Sequence, residues 1–443
     1  MVFSISAYTS AGIYTFPDQK YWILFWAAVL VLTVYIPKKP VVFLFIFIIL
    51  AFGTPRYGTP KEVLYHLNVL NLLCLLGFLG VMVWTAKNRT EVYLPVNAVS
   101  CLLLLFLIWI LVSIIVNYNL GLDKTRLLIN HGRNQYIYIF FCFFMASRFL
   151  NTETAGLLVI YAACMAVFIR GLVLWLSEAL YLTSDIGMFS AVVFPLCIFL
   201  AFHHKHIWLR IFFGVLTCFS PALILQTENR TAGITFIVVL TGLFFITSHK
   251  LKFMAAAVPG IAVLIHYFPV GYFDRFRVIW DKTAGHATVG LDMGTMIERL
   301  ELWGKGFEIF RQNLVFGIGP ENYGYYVKQF SDQNFRVAHN SVVNVAAETG
   351  IPGLILYLLL CLTVIFILLR NSLKRKEQKK AILCGYIFTA VLGCFAAGMF
   401  SSRHDDAFMY LLFGWGVALT AEKSLMLKNR WFHIHPLSED PVY

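Results

Sequence analysis

The sequence predicts an all-α integral membrane protein with twelve or thirteen transmembrane helices and one large polar helical insert on its outer side. Three observations predict it. Hydrophobic residue types make up 59% of the 443 residues and charged types only 13%, where a soluble domain carries about 25%. The apolar residues are gathered into runs, many of them close to the roughly 20 residues a helix needs to cross a bilayer. The aromatic share of 16% suits a hydrocarbon core with Tyr and Trp belts at its edges. This composition excludes a disordered chain and argues against a water-soluble globule.

The apolar runs lie near 21–36, 40–54, 64–86, 93–117, 135–149, 153–178, 183–203, 207–225, 231–247, 253–268, 343–369, 381–400 and 407–421. The first two are short and separated only by Pro37-Lys38-Lys39-Pro40. One of them reads equally as an interfacial or partial span, which is the difference between thirteen and twelve. Direction follows from short basic loops, which face the cytoplasm. The strongest is Arg370 to Lys380, with six Lys or Arg and one Glu. The tail at Lys423, Lys428 and Arg430 is basic too, so 381–400 and 407–421 form a hairpin between two cytoplasmic segments. Counting back, Lys250 with Lys252, Lys205 with Arg210, Arg148, and Lys87 with Arg89 fall on that same side. Much of the net charge of 35 − 23 = +12 is therefore topological, and no nucleic-acid partner is expected.

This divides the chain into an N-terminal bundle over 1–268, an external insert with amphipathic helices over 269–340, and C-terminal spans with a short cytoplasmic tail over 341–443. Residues 1–20 include Asp18 and Lys20 but no basic start and no small-residue cleavage site, so no cleavable signal is expected. The nine cysteines all fall inside apolar runs without metal-ligand spacing and read as small apolar packers. No internal repeat of the kind that builds many transporters is apparent.

Three external features can carry chemistry. Arg230 opens the 231–247 run after Gln226-Thr227-Glu228-Asn229. It reads as an interfacial anchor snorkelling to water, or as a guanidinium suited to a bidentate phosphate contact. Arg299 follows the capping box Thr295-Met296-Ile297-Glu298, so a helix should start at Thr295. Met296, Leu300, Trp303, Phe307, Phe310 and Leu314 then form one apolar face at helical spacing, with Arg299 at its edge. As a plain surface charge, Arg299 would pair with Glu298 or Glu301. His339 begins His339-Asn340-Ser341, and Gly350-Ile351-Pro352-Gly353 follows eight residues later. The spacing predicts a short helix over 340–349, broken from the span after it. Histidine can act as a base near neutral pH, or simply cap the helix.

Weaker features stand beside these. Arg170 lies inside the 153–178 run, where an arginine is a functional candidate by default or a partner of Glu178. Arg403-His404-Asp405-Asp406 lies in a short external loop, but no matching acid-rich motif accompanies it, so no metal is expected. No phosphate-binding glycine loop is apparent, so neither direct use of ATP nor a cofactor is expected.

Taken in order, these stretches resemble the bacterial O-antigen ligase and polymerase superfamily of membrane glycosyltransferases. The resemblance rests on Gln226-Thr227 with Arg230 at a span start, and on Arg299-Leu300-Glu301-Leu302-Trp303 followed by Phe316-Gly317-Ile318-Gly319-Pro320. It rests also on His339-Asn340 with Gly350 and Gly353. That last stretch is similar to the ligase pattern of His, Asn or another polar residue, nine positions, Gly, two positions, Gly. The resemblance covers about residues 220–370. It implies a GT-C-like bundle of twelve spans with both ends inside; a count of thirteen would depart from it.

The resemblance further implies a reaction in lipopolysaccharide biosynthesis at the periplasmic face of the bacterial inner membrane. O-antigen polysaccharide passes from an undecaprenyl-pyrophosphate-linked donor to a sugar hydroxyl of a lipid A-core acceptor, without metal, nucleotide or cofactor. Catalytic roles fall to His339 as base and to Arg230 and Arg299 on the pyrophosphate. Substrate binding falls to Arg230, Arg299, Asn340 and Arg403. With no nucleophilic carboxylate or cysteine apparent, a direct displacement would invert the anomeric centre. Rival readings are an O-antigen polymerase using the same donor, a ligase acting on pilin, and a lipid-linked-sugar transporter. A transporter would carry charges along its spans, whereas here they cluster on one external face.

Overall fold

The computed structural model describes residues 40–53, 97–118, 125–150, 152–176, 184–227, 229–247, 250–251, 293–330, 337–374, 378–402, 404 and 406–420. Among them every regular element is a helix. In chain order these are α1 (Pro40–Gly53), α2 (Ala98–Tyr118), α3 (Thr125–Phe149), α4 (Glu153–Leu176), α5 (Ser184–His203) and α6 (Ile207–Gln226). They continue as α7 (Arg230–Ile246), α8 (Met293–Gln312), α9 (Tyr323–Phe330), α10 (Ser341–Ser372), α11 (Gln378–Phe400) and α12 (Ala407–Thr420). In hydrocarbon no water satisfies a backbone N–H or C=O, so runs this apolar must close their hydrogen bonds within the helix.

Six described helices, α2, α4, α5, α6, α10 and α11, are long and apolar enough to cross a membrane. Tyr136–Phe149, α7 and α12 are shorter apolar helices. The expected runs at 21–36, 64–86 and 253–268 lie outside the described residues. One boundary differs from expectation: the run at 135–149 belongs to a helix that begins at Thr125, so much of the polar stretch Asp123 to Arg133 is helical. A helix bonds its own backbone whatever its side chains are, so it can continue past the apolar part.

The bundle joins the two ends of the chain. α12 lies along α3, α1 along α4, and α10 packs on α2 and α11, while α5 contacts α6, α7 and α11. One apolar cluster runs from Phe43 and Leu44 of α1 to Trp415 and Leu419 of α12. At the α3–α12 seam a Cβ on Gly414 would collide with the Phe143 carbonyl oxygen. Small residues at such crossings let helices approach where lipid offers no hydrophobic drive. Outward, α2 exposes Leu104, Ile108, Leu111 and Ile115, and α10 exposes Ile355, Leu359, Leu362 and Phe366. These recur at helical spacing as one stripe per helix, the face a span turns to lipid.

α8 and α9 sit on the start of α10. Leu302 and Ile309 of α8 are buried with Tyr323 and Val327 of α9 and Ala347 of α10. The apolar face expected for α8 is thus corrected. Leu300, Phe307 and Leu314 are exposed, Trp303 and Phe310 are half-buried, and the buried stripe is Leu302, Gly306 and Ile309. Both stripes have helical spacing. Gly306 decides between them, because Val343 and the Tyr323 ring come where its Cβ would be. The helix is described from Met293, two residues ahead of the expected Thr295.

Candidate functional site

The site begins with the helix break. Inside α10, Gly350 has φ 69° and ψ −167°, a region open essentially to glycine alone. Several backbone groups at the break find partners outside α10. Pro352 has no N–H to offer the Glu348 carbonyl four residues back; that oxygen accepts the Gly319 N–H at 2.9 Å instead. The Ile351 N–H donates to the Leu314 carbonyl at 2.8 Å, and the Ala347 carbonyl accepts the Ile318 N–H at 3.0 Å. The Trp109 indole N–H of α2 donates to the Thr349 carbonyl at 2.8 Å. Ser113 Oγ lies 2.7 Å from the Phe316 carbonyl, its nearer acceptor, and 3.2 Å from that of Glu348. Asn117 donates to the Gly317 carbonyl at 3.3 Å. Gly317 and Gly319 both have positive φ, and a Cβ on Gly317 would strike the Glu348 backbone. The Phe316-Gly317-Ile318-Gly319 segment therefore replaces a missing helical turn, which satisfies the condition for broken backbone at membrane depth.

His339 stands one half-helix before the break. It is half-buried, with φ +50°, a left-handed conformation costing about 1–2 kcal/mol for a residue with a Cβ. Its neighbours hold it there. Asn340 is the N-cap of α10: its Oδ1 accepts the Val342 and Val343 N–H groups at 2.9 and 3.1 Å. The Asn340 amide donates to the Met399 carbonyl at 3.1 Å, and Ser341 donates to the Ser401 carbonyl at 3.2 Å, tying the turn to the end of α11. On the other side, the Trp303 indole donates to the Ala338 carbonyl at 2.8 Å.

That last bond brings in the arginines. Arg299 is four residues before Trp303 on α8, so the two side chains share a helix face. Arg299 is half-buried. Burial, and next to it the charge of Arg230, push its guanidinium below the usual arginine range. Arg230 is the first residue of α7, whose N-cap Asn229 accepts the Thr231 and Ala232 N–H groups. The charge of Arg230 acting on Arg299, beside the N-terminus of α7, makes a positive potential suited to an anion.

Two buried ionisable residues at this end of the bundle were not anticipated as a pair. Glu348, 2% exposed, lies on α10 two residues before Gly350, and His404, 3% exposed, lies between α11 and α12. Glu348 Oε2 is 3.8 Å from His404 Nε2, and its Oε1 accepts the Tyr323 N–H at 3.3 Å. Burial, and secondarily the Glu348 charge, push the Tyr323 phenol up. An acid inside the 343–369 apolar run was the available signal for Glu348. His404 was visible only within a motif set aside as a metal candidate.

Of the remaining expected residues, Asn340 is 4% exposed, with its side chain engaged by the helix cap and α11. Arg403 lies outside the described residues, as do Asp405 and Glu178, while Arg170 is buried within α4. Among the described residues no group of three or more His, Cys, Asp or Glu is placed to hold a metal ion.

Residues 215–358 match the family described as O-antigen ligase. The matched region contains Arg230, Arg299, His339, Glu348 and the break at Gly350, and stops inside α10. No curated protein matches the chain.

Proposed function

We propose, from the match of residues 215–358 to the O-antigen ligase family, that this protein is an O-antigen ligase of the bacterial inner membrane. In this reading it acts at the periplasmic face, joining O-antigen polysaccharide from undecaprenyl pyrophosphate to a sugar hydroxyl of lipid A-core. Two observations support it most: the charge of Arg230 acts on the half-buried Arg299, and Trp303, one turn from Arg299, is bonded to the residue before His339.

The chemistry matches that arrangement. The donor is activated by its pyrophosphate, so no nucleotide is required outside the cytoplasm. The acceptor oxygen attacks the anomeric carbon and loses its proton to His339. The bond from that carbon to the pyrophosphate oxygen breaks, and undecaprenyl pyrophosphate leaves as an anion. Arg230 and Arg299 hold the anion and stabilise the charge that develops, with Arg403 an added contact. Asn340 contributes by fixing the turn that carries the base. One displacement inverts the anomeric centre.

The test is reconstitution of the purified protein with both lipid substrates, without ATP and with EDTA present. Glycan transfer to lipid A-core is the expected result. Transfer only to a second lipid-linked chain would make it a polymerase, and movement of the donor across the bilayer without transfer would make it a transporter. Loss of transfer on adding EDTA, restored by one metal, would overturn the metal-independent mechanism.

The arginines have a separate test. Arg230→Ala and Arg299→Ala should each reduce transfer and also weaken donor binding by about tenfold to a hundredfold, the ~1.5–3 kcal/mol of a hydrogen bond to a charged group. Arg→Lys should restore only part, since an ammonium lacks the planar fork. Titration of each variant with lipid pyrophosphate reads this directly; unchanged donor affinity would remove the arginines from the ground-state contact.

A further inference from the structure

We propose that Glu348, through its contacts with His404 and Tyr323, is a positioning residue that sets His339 against the two arginines. The inference rests on the proposed ligase reading. Three parts of the site meet at this one carboxylate. The first is the half-helix of α10 that carries it, whose other end bears Asn340 and His339. The second is the arginine side: Glu348 accepts the Tyr323 N–H, and the Tyr323 hydroxyl donates to the Leu302 carbonyl, three residues from Arg299 on α8. The third is the segment after α11: Glu348 faces His404 at 3.8 Å, and the Tyr410 hydroxyl of α12 fixes the His404 carbonyl at 2.7 Å.

The physical case is the cost of putting such groups there. A carboxylate at 2% exposure in a membrane helix is expensive unless paired. An apolar side chain would fill the same space at lower cost, so the charge is there for where it pulls. It pulls between a cationic or polar ring from the α11–α12 connection and a backbone donor from α9. Both partners lie outside the helix that carries Glu348. The short helix Ser341 to Thr349 is thus held at both ends, by Asn340 and Ser341 at the top and by Glu348 at the break. The backbone bonds at the break tie the half-helix to α2 and the 314–319 segment, whereas the Glu348 side chain ties it to the α11–α12 connection; losing that tie would let the half-helix shift and carry His339 away from α8.

The experiment uses the full chain, reconstituted, in the variants Glu348→Gln, Glu348→Asp, His404→Gln and the Glu348→Gln/His404→Gln double. Expected for Glu348→Gln is a kcat lowered about tenfold or more, with donor binding and thermal midpoint close to the parent. Glu348→Asp, which keeps the charge but is shorter, should retain more kcat than the isosteric Gln; a packing role gives the opposite order. The double variant should be no worse than the poorer single, the mark of a coupled pair. Equal loss of kcat and donor affinity, additivity of the two singles, or Gln outperforming Asp would each overturn the proposal. Should Glu348→Gln not fold, His404→Gln carries the same comparison.

A second readout does not depend on the reaction. In a His339→Cys protein, the rate of labelling by a membrane-impermeant maleimide should rise severalfold when Glu348→Gln is added. An unchanged rate overturns the clamp. A changed rate in a protein whose parent transfers no glycan means that the clamp stands and the ligase reading falls.

Discussion

His339→Ala is expected to give a folded protein that binds the lipid pyrophosphate donor as the parent does but transfers glycan about 10²–10⁴-fold more slowly, the range for loss of a positioned base. Binding is expected to survive because the donor's phosphates are assigned to Arg230 and Arg299, on α7 and α8. The turn also has an independent stake in the substitution. His339 holds φ +50°, which alanine adopts no more easily, so the cap bonds of Asn340 and Ser341 still have to impose it. His339→Gly relieves that strain and removes the base together. If His339→Gly transfers as slowly as His339→Ala while melting higher, the loss is chemical. If it recovers activity, the histidine shapes the turn and another group takes the proton. Loss of donor binding by the histidine variant alone, with both arginine variants keeping it, would reverse the assignment of base and clamp.

Gly350→Ala is expected to be severely damaging for a single added methyl group. The backbone there lies where residues with a Cβ are essentially never found, a cost of about 1–3 kcal/mol. The Cβ would also meet the Val315 and Leu314 carbonyl oxygens, and Leu314 is the acceptor for Ile351. Pushing that segment away leaves buried polar groups unpaired at ~1–3 kcal/mol each. A combined loss of about 3–5 kcal/mol follows, read as a sharp fall in the thermal midpoint of the detergent-solubilised protein and in its folded yield. Gly304→Ala is the control: on α8 an added Cβ meets nothing within 4 Å. It should be neutral or, by the helix propensity of alanine, stabilise by ~0.5–1 kcal/mol. Equal behaviour of the two variants would mean that the break is not held by the 314–319 segment.

What could be read from the sequence was local. Gly-Ile-Pro-Gly announced the break at Gly350, because glycine and proline write backbone geometry directly. The short helix before it was expected over 340–349, and α10 begins at Ser341 with Asn340 as its cap. The apolar runs found their helices wherever the described residues reach, since length and hydropathy alone define a span. What escaped was pairing. Trp109 and Ser113 sit in an apolar run whose pattern marks neither, and their importance comes from facing carbonyls more than 200 residues away. Glu348 and His404 meet only because α10 and α11 fold antiparallel. The face of α8 was misjudged because two stripes fit one helical period, and the choice depended on what Tyr323 and Val343 bring to Gly306.

The broken helix also has an order of assembly written into it. Trp109, Ser113 and the 314–319 segment all precede Gly350 along the chain, so during synthesis from the N-terminus the groups that receive the severed turn are made before the turn itself. Of the partners of the His339 turn, Trp303 is made before it, but Met399 and Ser401 come afterwards. The break can therefore form while the ribosome is still at work, whereas the His339 turn waits for the last hairpin to be made. Until then the nascent chain has its kink but lacks the two ties from α11 to the His339 turn, and a chain stopped between α10 and α11 would be kinked with that turn only partly held.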